Sequence, residues 1–110
     1  MNNEKIFKLN KNNWREIVGS GVVVVDFYAD WCPPCFKIEP ILEELAEAFK
    51  NKVKVCKFNV EEDDEIPTKY GIQVLPTIYV FKNGDTYSGV EGLAKKESIF
   101  KLVESALYAE

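Results

Sequence analysis

Apolar and polar positions alternate from Lys5 to Leu9 with the period of two that puts every other side chain on one face, which predicts a short edge strand. Trp14, Ile17 and Val18 follow at helical spacing, with Asn10 available as the N-cap and Gly19-Ser20-Gly21 as the stop. Val22 to Phe27 reads differently. It is too short and too β-branched for a helix, and its apolar residues occupy both parities, so it predicts a central strand covered on both faces.

From Pro34 to Lys50 the apolar positions Ile38, Ile41, Leu42, Leu45 and Phe49 trace one face of a long helix, and Glu39, Glu43, Glu44 and Glu47 take the rest. Pro40 lacks an N–H and crowds the preceding turn, which predicts a kink. Val53 to Val60 is a second β-branched run. The acidic block Glu61 to Glu65 reads either as a solvated face or as the negative start of a short helix over Ile66 to Tyr70. Thr77 to Phe81 is a further strand, and Asn83-Gly84 signals a two-residue hairpin turn into an antiparallel strand over Thr86 to Ser88. Ala94 to Leu107 closes the chain as an amphipathic helix through Ile99, Leu102, Val103, Ala106 and Leu107. The order βαβαβαββα implies an α/β fold: a central mixed β-sheet with helices on both faces, in a single domain over residues 1–110 without repeat or linker.

Composition narrows the function. With 110 residues, 46% of them hydrophobic, the chain can bury a core without staples. Its 14 basic and 18 acidic residues give a net charge of −4, the wrong sign for gripping a phosphate backbone, so no nucleic-acid partner is expected. Met1 to Asn10 lacks the apolar stretch of a secretory signal, and no run of ~18 apolar residues follows, so the expectation is a cytoplasmic protein without a membrane partner. Histidine is absent, which removes Ser-His-Asp and Cys-His nucleophiles and His-ligated zinc. Three cysteines, Cys32, Cys35 and Cys56, are too few for a disulfide framework, and in a reducing compartment a close pair is a reactive pair.

Trp31-Cys32-Pro33-Pro34-Cys35 lies between the central strand and the long helix, at the sheet edge where α/β proteins place their sites. If Cys32 caps the helix, its sulfur sits at the positive end of the dipole, which favours the thiolate and makes Cys32 the nucleophile. Cys35, three residues on, lies on the same face and within disulfide reach, so it can resolve a mixed disulfide. The prolines suit first-turn positions that have no intrahelical partner for an N–H. The same spacing is half a zinc or iron–sulfur site, but the rest of the chain supplies only Cys56, so neither metal nor cofactor is expected. An inter-chain metal site, a structural disulfide and two idle thiols are the competing readings.

The run Val25-Asp26-Phe27-Tyr28-Ala29-Asp30-Trp31-Cys32-Pro33-Pro34-Cys35, followed by Pro40, Lys57, Lys69-Tyr70-Gly71-Ile72, Pro76-Thr77, Phe81-Lys82-Asn83-Gly84 and Gly92, resembles the thioredoxin family over essentially the whole chain. The resemblance implies the thioredoxin fold and a protein-disulfide oxidoreductase acting mainly as a reductase. It also implies a role for Asp26. A carboxyl inside an apolar strand has its pKa raised by burial and can accept the proton of Cys35, unless it faces water at the strand end. Lys57 is implied as its companion, and otherwise snorkels to the surface.

Pro76 resembles the family's cis-proline, which would turn the backbone of Leu75 outward to pair with an extended substrate; a trans-proline opening a strand is the alternative. Trp31, Pro33, Pro34, Val74, Leu75 and Gly92 would border the substrate groove around Cys32. The chain departs from the family at Pro33, usually glycine, and at Tyr28, commonly tryptophan. Cys56 matches no catalytic position and reads as a small core hydrophobe. Implied partners are protein disulfides and an external thioredoxin reductase, flavoprotein or ferredoxin-dependent, with the chain a monomer. A thiol oxidant or isomerase on the same fold, and a binding module without turnover, are the alternative functions.

Overall fold

Val22–Tyr28 forms the centre of a five-stranded sheet, and all seven of its residues are buried. The structure, a computed structural model, describes residues 5–109. In chain order the elements are β1 (Ile6–Leu9), α1 (Trp14–Val18), β2 (Val22–Tyr28), α2 (Pro33–Ala48), β3 (Val53–Asn59), α3 (Glu65–Lys69), β4 (Thr77–Lys82), β5 (Asp85–Glu91) and α4 (Lys96–Tyr108). The strands lie in the order β1-β3-β2-β4-β5. β3 pairs in parallel with β1 and β2, whereas β4 runs antiparallel to β2 and to β5. The expected βαβαβαββα order and mixed sheet are therefore both present.

Two apolar layers explain why β2 has no polar parity. Val22 and Val24 point into a cluster with Ile38, Leu42 and Leu45 of α2 and Ile99, Val103 and Ala106 of α4. Val23, Val25 and Phe27 point the other way, among Val18, Phe58 and Phe81, with Trp14 and Tyr70 packed against them. Trp14 is the hub of that second layer, its ring centroid 5.5 to 6.1 Å from those of Phe27, Phe58, Tyr70 and Phe81. A sheet covered on both sides needs apolar residues at consecutive positions, which is why β2 reads as a run and not as an alternation.

The turns show where local chemistry was read correctly and where it was not. Asn83 and Gly84 have φ of 52° and 88°, the left-handed geometry that a tight hairpin demands and that these two residue types tolerate. Asn83 also donates its backbone N–H to Gly21 (2.9 Å), and its side-chain oxygen accepts the Gly21 N–H (3.0 Å), tying the hairpin to the start of β2. β5 runs further than the expected strand, out to Glu91. Asn10 does not cap α1. Its side-chain oxygen accepts the N–H groups of Asn12 and Asn13 in a turn, and Asn13 is the residue at the helix cap. Asn13 caps by position only: its side chain accepts the Asn10 N–H and donates to the Lys8 carbonyl, so the turn out of β1 uses both asparagine side chains.

Pro40 lies inside α2, which runs without a break from Pro33 to Ala48. The acidic block does open a helix: Asp63 accepts the N–H of Ile66 at 3.1 Å and Glu65 sits in the first turn of α3.

Cys56 is fully buried on the α1/α3 side of the sheet, and burial pushes its thiol up to about 12, so it is inert as a nucleophile. Cys56→Ala should leave the chemistry of the Cys32–Cys35 pair unchanged and lose about 1 kcal/mol of stability, the usual scale for truncating a small core side chain. Denaturant unfolding and a turnover assay on the same preparation check both halves.

Candidate active site

β2 ends at the carboxyl edge of the sheet, and Ala29, Asp30 and Trp31 carry the chain over to α2. Cys32 occupies the N-cap of that helix with non-helical torsions, φ −103° and ψ 98°, and Pro33 is the first helical residue. The expected place of Cys32 at the dipole's positive end is thus present. The donors there are sparse, however. Pro33 and Pro34 hold the first two helical positions and have no N–H, and the next N–H, that of Cys35, is given to the carbonyl of Cys32 at 3.0 Å. No backbone N–H bonds the Cys32 side chain as a cap.

Cys32 and Cys35 are joined in a disulfide with their Cα atoms 5.3 Å apart, inside the usual range. Both are buried, in a small apolar cluster with Tyr28 and Ala29 against Val60 and Leu75. They differ in what they face. Cys32 borders an open hollow of about 400 Å³ that Trp31, Pro33, Pro34 and Leu75 also line, whereas Cys35 belongs to the buried stripe of α2 with Ile38, Leu42 and Leu45.

The remaining walls of the hollow are Val60, Pro67, Ile72 and Gln73, none of which the sequence marked as part of the site. They converge because β2 and β3 are parallel, so the segments leaving both strands emerge at one edge. Of the residues expected around Cys32, Val74, Gly92 and the buried Pro76 do not line this hollow. Val74 is partly exposed, and Gly92 sits behind Pro76, donating its N–H to the Pro76 carbonyl at 2.7 Å. The Leu75–Pro76 peptide bond is cis.

Trp31 is 65% exposed, yet its indole is not free, because Nε1 donates to a carboxylate oxygen of Glu61 at 2.8 Å. Glu61 was legible only as one acid in a block. What selects it is position. It follows the end of β3, beside the end of β2, and its own N–H is fixed by the side chain of buried Asn59 at 2.9 Å.

Asp26 is 1% exposed and leaves β2 on the same face as Val22 and Val24, the face that α2 covers. Its Oδ1 has no hydrogen-bond partner among the described residues. Burial pushes the carboxyl up to about 7; the Lys57 charge opposes this and the Glu39 charge adds to it. Lys57 stands beside Asp26 in the parallel register but does not pair with it. Its ammonium lies 3.4 Å from Glu39 and 4.6 Å from the centre of the Tyr28 ring. Glu39 is the other residue that sequence reading passed over, although it lies four residues beyond Cys35 and therefore one turn along the same helix. Among the described residues no group of three or more Cys, Asp or Glu side chains is arranged to hold a metal ion.

The thioredoxin family model matches residues 5–105. Thioredoxin of Rickettsia bellii is 45% identical over 83 residues, covering 76% of this chain and 79% of the relative. A chloroplastic M-type thioredoxin of Pisum sativum is 43% identical over 98 residues, covering 87% of this chain and 57% of that longer protein. Among solved structures, a singly substituted thioredoxin from Halobacterium salinarum superposes with a TM-score of 0.85 at 31% identity, covering 96% of this chain and 92% of that one. Fold, disulfide and relatives agree over the same stretch of sequence, and the chain belongs to the thioredoxin family as a thiol–disulfide oxidoreductase.

Proposed function

We propose that the chain works mainly as a reductant of protein disulfides, with Cys32 attacking and Cys35 resolving. The observation that carries the direction is the pair of prolines opening α2. A dithiol is a strong oxidant when its reduced form is stabilised, chiefly by donors around the exposed thiolate. Here the first two helical positions offer none. The Cys32 thiolate gains the dipole but few hydrogen bonds, so the reduced pair gives up its electrons readily.

The roles within the pair follow from what each sulfur faces. Cys32 borders the hollow, and its thiolate attacks a substrate disulfide, whose second sulfur leaves as thiolate. Cys35 lies beneath. Its proton passes to Asp26, its sulfur attacks Cys32, and the remaining substrate sulfur departs as the Cys32–Cys35 bond closes. Two electrons have then moved to the substrate. Trp31, Pro33, Pro34 and Leu75 form the floor and walls that receive the polypeptide, Val74 is exposed beside them, and buried Pro76 holds the Leu75 backbone in place from below, its carbonyl accepting the Gly92 N–H. Exposed Trp31, Phe36 and Leu93 suit an apolar substrate segment.

Reduction of the spent disulfide falls to an external thioredoxin reductase, a flavoprotein or a ferredoxin-dependent enzyme. The chain serves as a single domain and a monomer in the cytoplasm. Bacterial relatives support this placement, and the chloroplastic relative offers the other compartment.

Equilibration with glutathione of known ratio tests the direction. The pair should be more reducing than glutathione, and a pair that oxidises glutathione would assign the chain to oxidants or isomerases. Cys32→Ser should abolish reduction, while Cys35→Ser should accumulate a covalent protein–substrate disulfide visible by non-reducing electrophoresis and mass; the opposite pattern would exchange the roles.

Asp26 makes stability depend on pH. Its carboxyl titrates at 3.8 when unfolded and at about 7 when folded, so between those values the folded state holds the extra proton. Stability from this group therefore falls as pH rises from about 4 to 7, by up to roughly 4 kcal/mol, and the whole loss is present above 7. Asp26→Asn should remove that slope. After allowance for a buried amide's own unmet donors, it should stabilise the oxidised protein at pH 8 by about 2 kcal/mol and not at pH 4. Urea unfolding across this range reads the difference, and resolution of a mixed disulfide should be slowed in the same variant near neutral pH.

A further inference from the structure

Lys57 has two carboxylates within its range and engages only one. The register sets it directly beside Asp26 on adjacent parallel strands, so both side chains leave the sheet on the face that α2 covers. Asp26 is short and stays buried, with Oδ1 unpartnered. Lys57 reaches past it to Glu39 Oε2 at 3.4 Å, over the Tyr28 ring. The side chains of Lys57 and Glu39 retain 20% and 35% exposure, so this pairing leaves the ammonium partly hydrated. Pairing with Asp26 would instead strip it of water inside the core, where desolvation offsets most of the attraction.

We propose that Glu39 is a positioning residue of the redox site: its carboxylate, together with the Tyr28 ring, holds the Lys57 ammonium at the edge of α2 and so leaves the Asp26 carboxyl without a cationic partner. The proposal deepens the reading of Asp26 as proton acceptor for Cys35 and rests on it for its effect on rate. The groups facing Asp26 are few. α2 supplies Glu39 and, on the proposed proton transfer, the thiol of Cys35; β3 supplies Lys57; its own strand supplies the Tyr28 phenol. β4 places the apolar Ile78 opposite it, and the buried residues of α4 are Ile99, Val103 and Ala106.

The consequence for resolution is direct. The Cys35 S–H bond breaks as Asp26 takes the proton, the freed sulfur pair forms the bond to Cys32, and the bond from Cys32 to the substrate sulfur breaks with its electrons leaving on the substrate. An ammonium seated on Asp26 would hold that carboxylate ionised and weaken it as a base. Glu39 prevents this by offering a better-hydrated partner.

Glu39→Gln lies on the partly exposed side of α2, and the test uses the full chain, reduced, with ¹³C-labelled aspartate carboxyls followed by NMR. The midpoint of Asp26 should fall by ~1 pH unit. In a Lys57→Gln background the same substitution should shift it by half as much or less, because Glu39 acts through the lysine. An unmoved midpoint, or a shift that keeps more than half its size without Lys57, overturns the proposal. Stopped-flow release of substrate thiol from a preformed mixed disulfide supplies the second readout, and its acid limb should follow the midpoint downward. A midpoint that moves as expected while the limb stays still supports the positioning of Lys57 by Glu39 and rejects Asp26 as the proton acceptor.

Discussion

From Val22 to Tyr28 no side chain of β2 is left to water, and the two layers of the molecule are arranged around that strand. Burial on both faces requires helices on both sides, which the βαβ crossovers supply, and it requires hydrogen-bonded neighbours on both edges, which β3 and β4 supply. The same burial makes Asp26 unusual. Four valines in a row contribute apolar area, whereas a carboxylate at the next position is stripped of water without a partner for Oδ1. Titration near neutrality is the outcome of placing an acid in the most enclosed strand of the fold.

The site sits where that strand lets the chain out. β2 and β3 run parallel and finish at one edge, so the loop carrying Trp31 and the segment carrying Val60 and Glu61 are neighbours in space though thirty residues apart in sequence. The disulfide is held between an inward and an outward environment. Cys32 looks into the hollow and Cys35 is continuous with the apolar stripe of α2, the difference in surroundings on which the proposed division of roles rests.

Two features of helix physics oppose each other at Cys32. The N-terminus of α2 presents the positive end of a dipole to the sulfur, which favours the thiolate. Prolines at the first two positions preorganise the turn and remove two of the N–H groups that would otherwise converge there. This balance is what supports the proposed reducing role: a thiolate favoured by the dipole, with few donors to stabilise the reduced form.

Much of the fold was legible from the chain because its signals are local. Val22 to Phe27, with apolar residues at both parities, could belong only to a doubly covered strand; Asn83 and Gly84 tolerate the left-handed backbone that a tight hairpin needs; and the two cysteines sit three apart after a strand and before a helix. Each of these depends on a few neighbouring residues and on backbone sterics, which sequence states directly. Even locally, Asn10 is drawn away from capping α1 by the turn that leaves β1, which takes the side chains of both Asn10 and Asn13. The convergence of Val60, Pro67, Ile72 and Gln73 on the hollow, the contact of Trp31 with Glu61, and the pairing of Lys57 with Glu39 in preference to Asp26 were decided by tertiary structure alone. The physical reason is reach. A long charged side chain touches several elements, and which carboxylate it meets depends on how α2 lies across β3 and on how much water each partner keeps, quantities that exist only once the layers have packed.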